Sequence, residues 1–343
     1  MRRSGVSETG RDRLLGPLPS SAMTRPQIRS FDAADVPAAG RLLAERHAAH
    51  RLAEPLLAAR FEDPAVASAE VQALVDAGAT GAVAEAGGEL VGFLVGRHKP
   101  DATWGANRWV EDAGHAVRDA ELARDLYAVA ATGWVAEGHD VHYALVPAHD
   151  AALVDAWFRL GFGQQHVHAL RELPTEPSTP PDGLTVRAAE RRDIPVLGRL
   201  DVVLPEHQGL APTFSSGGIP TLEEAVADWE EGFDDEGFGY LVAEHDGQVV
   251  GAAVACALEK SSSNTALMRP DHAGFLGFAA VLPEARGLGA GRALGEAVHD
   301  WCVAEGFTSL ATDWRATNLL SSRTWTRLGY RPTFLRLHRR LGY

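Results

Sequence analysis

Arg286-Gly287-Leu288-Gly289-Ala290-Gly291-Arg292 follows an apolar run, Phe275 to Leu282, and opens the amphipathic pattern Ala293 to Glu305. The spacing predicts a strand that feeds a glycine loop and then a helix N-terminus. Glycines there let main chain approach a ligand closely. The first-turn N–H groups of a helix have no intrahelical acceptor, and the helix dipole favours an anion beside them. A phosphate or pyrophosphate is the matching guest. A dinucleotide loop needs G-x-G-x-x-G, and a P-loop needs four residues between glycines followed by Gly-Lys-Ser/Thr; neither fits this stretch.

What fits is R-x-x-G-x-G on Arg286, Gly289 and Gly291, preceded by Val281-Leu282-Pro283-Glu284. In this the chain resembles the GCN5-related N-acetyltransferase (GNAT) family, whose pyrophosphate loop for acetyl-coenzyme A has that form. Downstream come a short apolar strand, Ser309 to Thr312, then Asn318, then Trp325-Thr326-Arg327-Leu328-Gly329-Tyr330. The family closes similarly, with a Tyr seven positions after its Asn, where this chain has Trp325. That Tyr commonly protonates the departing thiolate, and an indole N–H donates a hydrogen bond without being an acid of useful pKa. The resemblance therefore implies coenzyme binding without the family's usual acid. It implies an α/β fold with a mixed sheet, acetyl-coenzyme A as acyl donor, and coenzyme contacts from Ala279, Ala280, Val281, Arg286, Gly287, Leu288, Gly289, Ala290, Gly291, Arg292, Asn318 and Trp325. Main-chain N–H groups of the strand before the loop, at Ala279 and Val281, match those that stabilise an oxyanion in the family.

The chain repeats itself. Arg29-x5-Asp35-Val36-Pro37-x2-Gly40-Arg41-Leu42 recurs as Arg187-x5-Asp193-Ile194-Pro195-x2-Gly198-Arg199-Leu200, at a shift of 158. Val83-Ala84-Glu85 returns as Val242-Ala243-Glu244 at a shift of 159, and Trp157 to Phe162 as Trp325 to Tyr330 at 168. Such a repeat is domain-sized, unlike the 20 to 50 residues of a solenoid. At the last shift, Arg286 falls on Arg118, Gly287 on Asp119, Gly289 on Glu121 and Gly291 on Ala123. Carboxylates there repel pyrophosphate, and side chains at the glycine positions block its approach. The expected organisation is a disordered extension (1–25), a degenerate GNAT-like domain (26–172), a Pro-rich linker (173–183) and a GNAT domain with an intact loop (184–343).

Bulk properties exclude other classes. No run of about 18 apolar residues suggests a membrane span, and the first 25 residues hold no secretory h-region. Two cysteines, Cys256 and Cys302, make no disulfide framework, and His142, His149 and His166 have no metal-ligand spacing. We expect a cytoplasmic protein without a metal. A net charge of −14 disfavours nucleic acid and favours a cationic or neutral acceptor. The expected partner is a small-molecule or peptide amine, with homodimerisation open.

N-acyl transfer needs a group to take the proton that an amine loses. Candidates are Glu231 in the acid cluster Glu230, Glu231, Asp234, Asp235 and Glu236, then His272 and Asp313, with His207 and Asp271 as further choices. The expected activity is transfer of an acetyl group to a primary amine by direct attack in the second domain. The alternative is a non-catalytic acyl-coenzyme A sensor.

Overall fold

The computed structural model describes residues 26–215, 217–262 and 264–342; the disorder expected for 1–25 lies outside the described residues. The first copy runs β1 (Gln27–Ser30), α1 (Val36–Ala53), α2 (Pro64–Asp76), β2 (Thr80–Ala86), β3 (Glu89–Gly96), β4 (Asn107–Val110), β5 (His115–Val117), α3 (Leu122–Ala136), β6 (Val141–Pro147), α4 (Ala151–Arg159) and β7 (Gly163–Glu172). The second runs β8 (Leu184–Ala188), α5 (Ile194–Gly209), α6 (Leu222–Gly232), β9 (Phe238–His245), β10 (Gln248–Ala257), β11 (Ala273–Val281), α7 (Ala290–Ala304), β12 (Ser309–Arg315), α8 (Leu319–Arg327) and β13 (Arg331–Arg340). From α3 and α7 onward, every element of one copy coincides with its counterpart at the shift of 168.

Local causes are visible in the repeated motifs. Arg29 donates to Asp35 at 2.7 Å, and Arg187 donates to Asp193 at 2.7 and 3.0 Å. Each aspartate also accepts the amide of Asp32 or Glu190, so the repeated Arg-x5-Asp ties the first strand to the start of the first helix. Between β9 and β10, Asp246 and Gly247 take φ of 51° and 73°, the two positive values that a tight hairpin turn requires.

The strands form two sheets, one in the order β1-β2-β3-β5 and one of nine in the order β4-β6-β13-β7-β12-β11-β10-β9-β8. The last strands are exchanged. β7, from the first copy, pairs antiparallel with β12 of the second, while β13 pairs antiparallel with β6 of the first. The two exchanged strands also pair with each other. One core cluster accordingly joins Leu126, Trp157 and Val167 to Leu294, Trp325 and Tyr330. A fragment of residues 184–343 would lack β7 and bare the backbone of β12. We expect it to associate or aggregate in size-exclusion chromatography, and a stable folded monomer would contradict this.

The stretch 173–183 is held against α7. Ser178 donates from its amide and its hydroxyl to Asp300, at 3.2 and 2.6 Å. No helix of the described residues is long and apolar enough to cross a membrane.

Candidate active site

β11 and β12 run parallel and paired only from Ala273–Ser309 to Leu276–Thr312, and then part. A register shift against β10 at Val254/Ala255 leaves Gly277 unpaired where this happens. A β-bulge re-aims the strand that carries it, which here turns the end of β11 away from β12. Thr312 Oγ1 donates to the Leu276 carbonyl at 2.9 Å, taking over a group that the ladder would otherwise satisfy. Two cavities open at this fork.

The larger, of 590 Å³, runs over the glycine loop. Ala279, Ala280, Val281, Arg286, Gly287, Gly289, Ala290, Gly291, Arg292, Asn318 and Trp325 line it; of the residues expected to bind the coenzyme, only Leu288 does not, its side chain facing solvent. Gly289 caps α7 with φ 89°, a left-handed conformation suited to glycine. A Cβ added there would lie 3.2 Å from Pro181 of the linker. The first intrahelical bond is donated by Ala293 to the Gly289 carbonyl, so the amides of Ala290, Gly291 and Arg292 precede the helical ladder. Arg286 and Arg327 add positive charge along the same wall, where Arg292 pairs with Glu296 at 2.7 Å.

The corresponding turn of the first copy is closed on itself. Leu122, Ala123 and Arg124 donate to the carbonyls of Asp119, Ala120 and Glu121, and the Glu121 amide is taken by the Asp119 carboxylate at 3.0 Å. Glu121 also pairs with Arg124 and Arg159. The strand matching β11 is broken into β4 and β5 around Glu111–Gly114, and Leu267 and Met268 of the second copy are buried in the first copy's core cluster. The first-turn amides of this copy are thus taken by its own chain.

The smaller cavity, of 350 Å³, lies on the other side of the fork and shares Leu204, Ala279, Asn318, Ser321 and Trp325 with the larger. Asp313 and Trp314 stand on its wall, and so do Thr103, Trp104, Tyr143, Gln165 and His166 of the first copy. The exchanged strands bring them there. His166 Nε2 lies 2.8 Å from Asp313 Oδ1. Burial, with Arg336 and Arg315 nearby, holds the His166 pKa below its ordinary value although Asp313 raises it. Its Nδ1 is buried without a hydrogen-bond partner, which disfavours a proton there. The neutral ring therefore carries its proton on Nε2 and donates it to Asp313, turning the carboxylate toward the cavity.

The other expected bases are placed elsewhere. His272 is exposed at the start of β11, with φ 51°, and lines neither cavity. Glu231 is exposed at the end of α6 and also lines neither, while Asp234 of the same cluster pairs with Arg191. Asp271 pairs with Arg60; His207 borders the larger cavity. Trp325 is buried at the junction of the two cavities and leaves no phenol where they meet. Asn318 caps α8 by accepting the amides of Leu320 and Ser321 at 3.2 and 3.3 Å, which fixes the wall that both cavities share.

Residues 203–330 match the family described as the acetyltransferase (GNAT) family. A GCN5-related N-acetyltransferase from Sphaerobacter thermophilus is similar over 93% of this chain and 98% of its own, at 18% identity and a TM-score of 0.52. A tandem GNAT protein from the clavulanic acid biosynthesis pathway aligns over 93% and 99%, at 16% identity and 0.43. A ribosomal-protein-alanine N-acetyltransferase from Brucella melitensis aligns over 46% and 99%, at 22% identity and 0.35. At these identities the likeness shows fold alone, and of the three only the first exceeds a TM-score of 0.5. No curated protein matches the chain in sequence. Residues 203–330 thus form a GNAT-family domain, and the chain as a whole has the fold of a GCN5-related N-acetyltransferase.

Proposed function

We propose that the chain is an acetyl-coenzyme A dependent N-acetyltransferase whose chemistry runs in the second copy, residues 184–343, with the first copy, 26–172, as a partner wall. The observation that carries this reading is the meeting of the two cavities at Ala279, Asn318 and Trp325. The larger fits a pyrophosphate-bearing coenzyme: glycines give close approach, first-turn amides lie ahead of the helical ladder, and arginines balance the charge. Acetyl-coenzyme A would supply an acyl group already activated as a thioester. Ala279, on the arm of β11 that has parted from β12, would present main chain to the carbonyl.

The smaller cavity holds the acceptor. Asp313, oriented by His166, takes the proton that the amine loses. His166 touches neither reactant in this scheme and acts as a positioning residue. Glu231 and His272 remain outside it because of where they stand. Trp325 shapes the junction, and water reaching it from the open clefts protonates the thiolate.

The test is thiol release from acetyl-coenzyme A over a broad panel of amines, with Asp313→Asn as the control. The variant should lose about 100-fold in kcat, the usual size of general-base catalysis, with coenzyme affinity unchanged. An Asp313→Asn enzyme as fast as wild type would remove Asp313 from the chemistry. Tight coenzyme binding with no amine acetylated would favour the sensor.

A further inference from the structure

The smaller cavity carries more positive charge than its walls neutralise. Arg315, His166 and Arg336 stand opposite one another across β12, β7 and β13. Directly opposed residues project to one face, and neighbouring strands are about 4.8 Å apart, so the three form a short row. All three line the cavity.

Arg336 is 9% exposed. Its Nε donates to Gln165 Oε1 at 2.8 Å, and its guanidinium carbon lies 5.2 and 5.8 Å from the ring centroids of Trp104 and Trp109. Aromatic faces hold a guanidinium flat and leave its edge free. Its two terminal nitrogens make no hydrogen bond among the described residues, and neither is sealed from the cavity. Among the described residues Arg315 donates to neutral oxygens, Gln208 Oε1 at 2.9 Å and Ser215 Oγ at 2.7 Å. Asp313 is the carboxylate on the wall; it is bonded to His166, and its charge acts on both arginines. With His166 neutral, two guanidinium charges face one carboxylate.

A buried guanidinium is costly unless an anion meets it, and its planar fork matches a carboxylate with two parallel bonds. We propose that the acceptor is an amine that also carries a carboxylate, an amino-acid-like zwitterion, whose carboxylate is held by Arg336 and whose amine is thereby delivered to Asp313. The proposal rests on the smaller cavity being the acceptor site. One surplus positive charge suits a monoanion better than a phosphomonoester, which carries nearly two negative charges at neutral pH. It disfavours a polycation, although the chain as a whole bears a net charge of −14. Solution screening confines that overall charge to about 8 Å, whereas the arginines meet the ligand inside the cavity.

The experiment compares the standard amino acids with their α-carboxamides, their decarboxylated amines, 2-aminoethyl phosphate and spermidine, following thiol release at saturating acetyl-coenzyme A. We expect kcat/KM for the best acids to exceed that of their amides by about 100-fold or more. Arg336→Met should erase this ratio chiefly through KM, and Arg336→Lys should restore part of it as a point charge without the fork. Calorimetry of acetyl-coenzyme A with each variant, expected to match wild type, shows that the fold is intact. Amides, decarboxylated amines or spermidine turned over as well as the acids would overturn the zwitterion proposal while leaving the acetyltransferase reading in place. So would an unchanged acid-to-amide ratio in Arg336→Met. Binding of the same acids to the coenzyme A-loaded protein is measured in parallel by calorimetry. Failure of every acid to bind sinks the proposal whatever the turnover.

Discussion

Gly289→Glu should abolish acetyl-coenzyme A binding, and no change at the matching position of the first copy should create a second site. Three effects act together at residue 289. Its φ of 89° costs a residue with a Cβ about 1–2 kcal/mol. The new Cβ would sit 3.2 Å from Pro181, which Ser178 and Asp300 help to hold against α7. Its carboxylate would stand where the first-turn amides receive pyrophosphate, and like charges about 4 Å apart add roughly 1–4 kcal/mol of repulsion. Gly289→Ala has the first two effects without the third, so it should weaken binding by about 10-fold and isolate the charge. Calorimetry on the wild type should give one coenzyme per chain. Glu121→Gly should leave that number unchanged, because Leu122, Ala123 and Arg124 still donate to their own turn and Asp119 remains. A stoichiometry of two, or a Gly289→Glu protein that binds normally, would end the assignment of the loop.

How much of this was legible in the sequence follows from the range of each interaction. The glycine loop, its strand and its helix are local, set by φ, by period and by the orphan amides of a helix start, and the cleft wall contains all but one of the residues read from the motif. The repeat was legible because elements of one copy recur at fixed offsets. The exchange of β7 and β13 was not. The two strands occupy equivalent places and have equal lengths, so neither pattern nor turn length tells which slot each fills; strand pairing is specified by faces buried far away in the chain. The acceptor wall follows from the exchange. His166 and Arg336 read as unremarkable strand residues until β7 and β13 are placed beside β12, and only then does Asp313 acquire its partner. His272 and Glu231 look equally suitable in the sequence, because a strand start and a helix end do not reveal which end of the sheet forks.

Stability should fall steeply as pH drops from about 6.5 to 5. His47, His50, His115, His142, His168 and His299 are each at most 2% exposed. Burial is the first cause that lowers every one of them, to about 4, 2, 3, 4, 3 and 3. Neighbouring cations push the same way: Arg46 beside His47, His50 and His115, Arg336 beside His168, Arg339 beside His142 and Arg171 beside His299. Asp313, Asp140 and Glu62 oppose them without prevailing. In the unfolded chain these rings titrate near 6.5, so below that pH the unfolded state binds protons that the folded state refuses. Stability is therefore fully present above about 6.5 and is lost progressively toward the folded values. At pH 5 the loss is about 2 kcal/mol for each ring and about 12 kcal/mol for the six, which rivals the whole stability of an ordinary domain. Because the nine-stranded sheet combines strands of both copies and one core cluster joins them, the loss should appear as one cooperative transition. Denaturant titrations at several pH values should show a midpoint that collapses between pH 6 and 5, with unfolding taking up several protons. A midpoint that stays flat across that interval would mean that these histidines are solvated or charged in the folded protein, contrary to the burial on which the prediction stands.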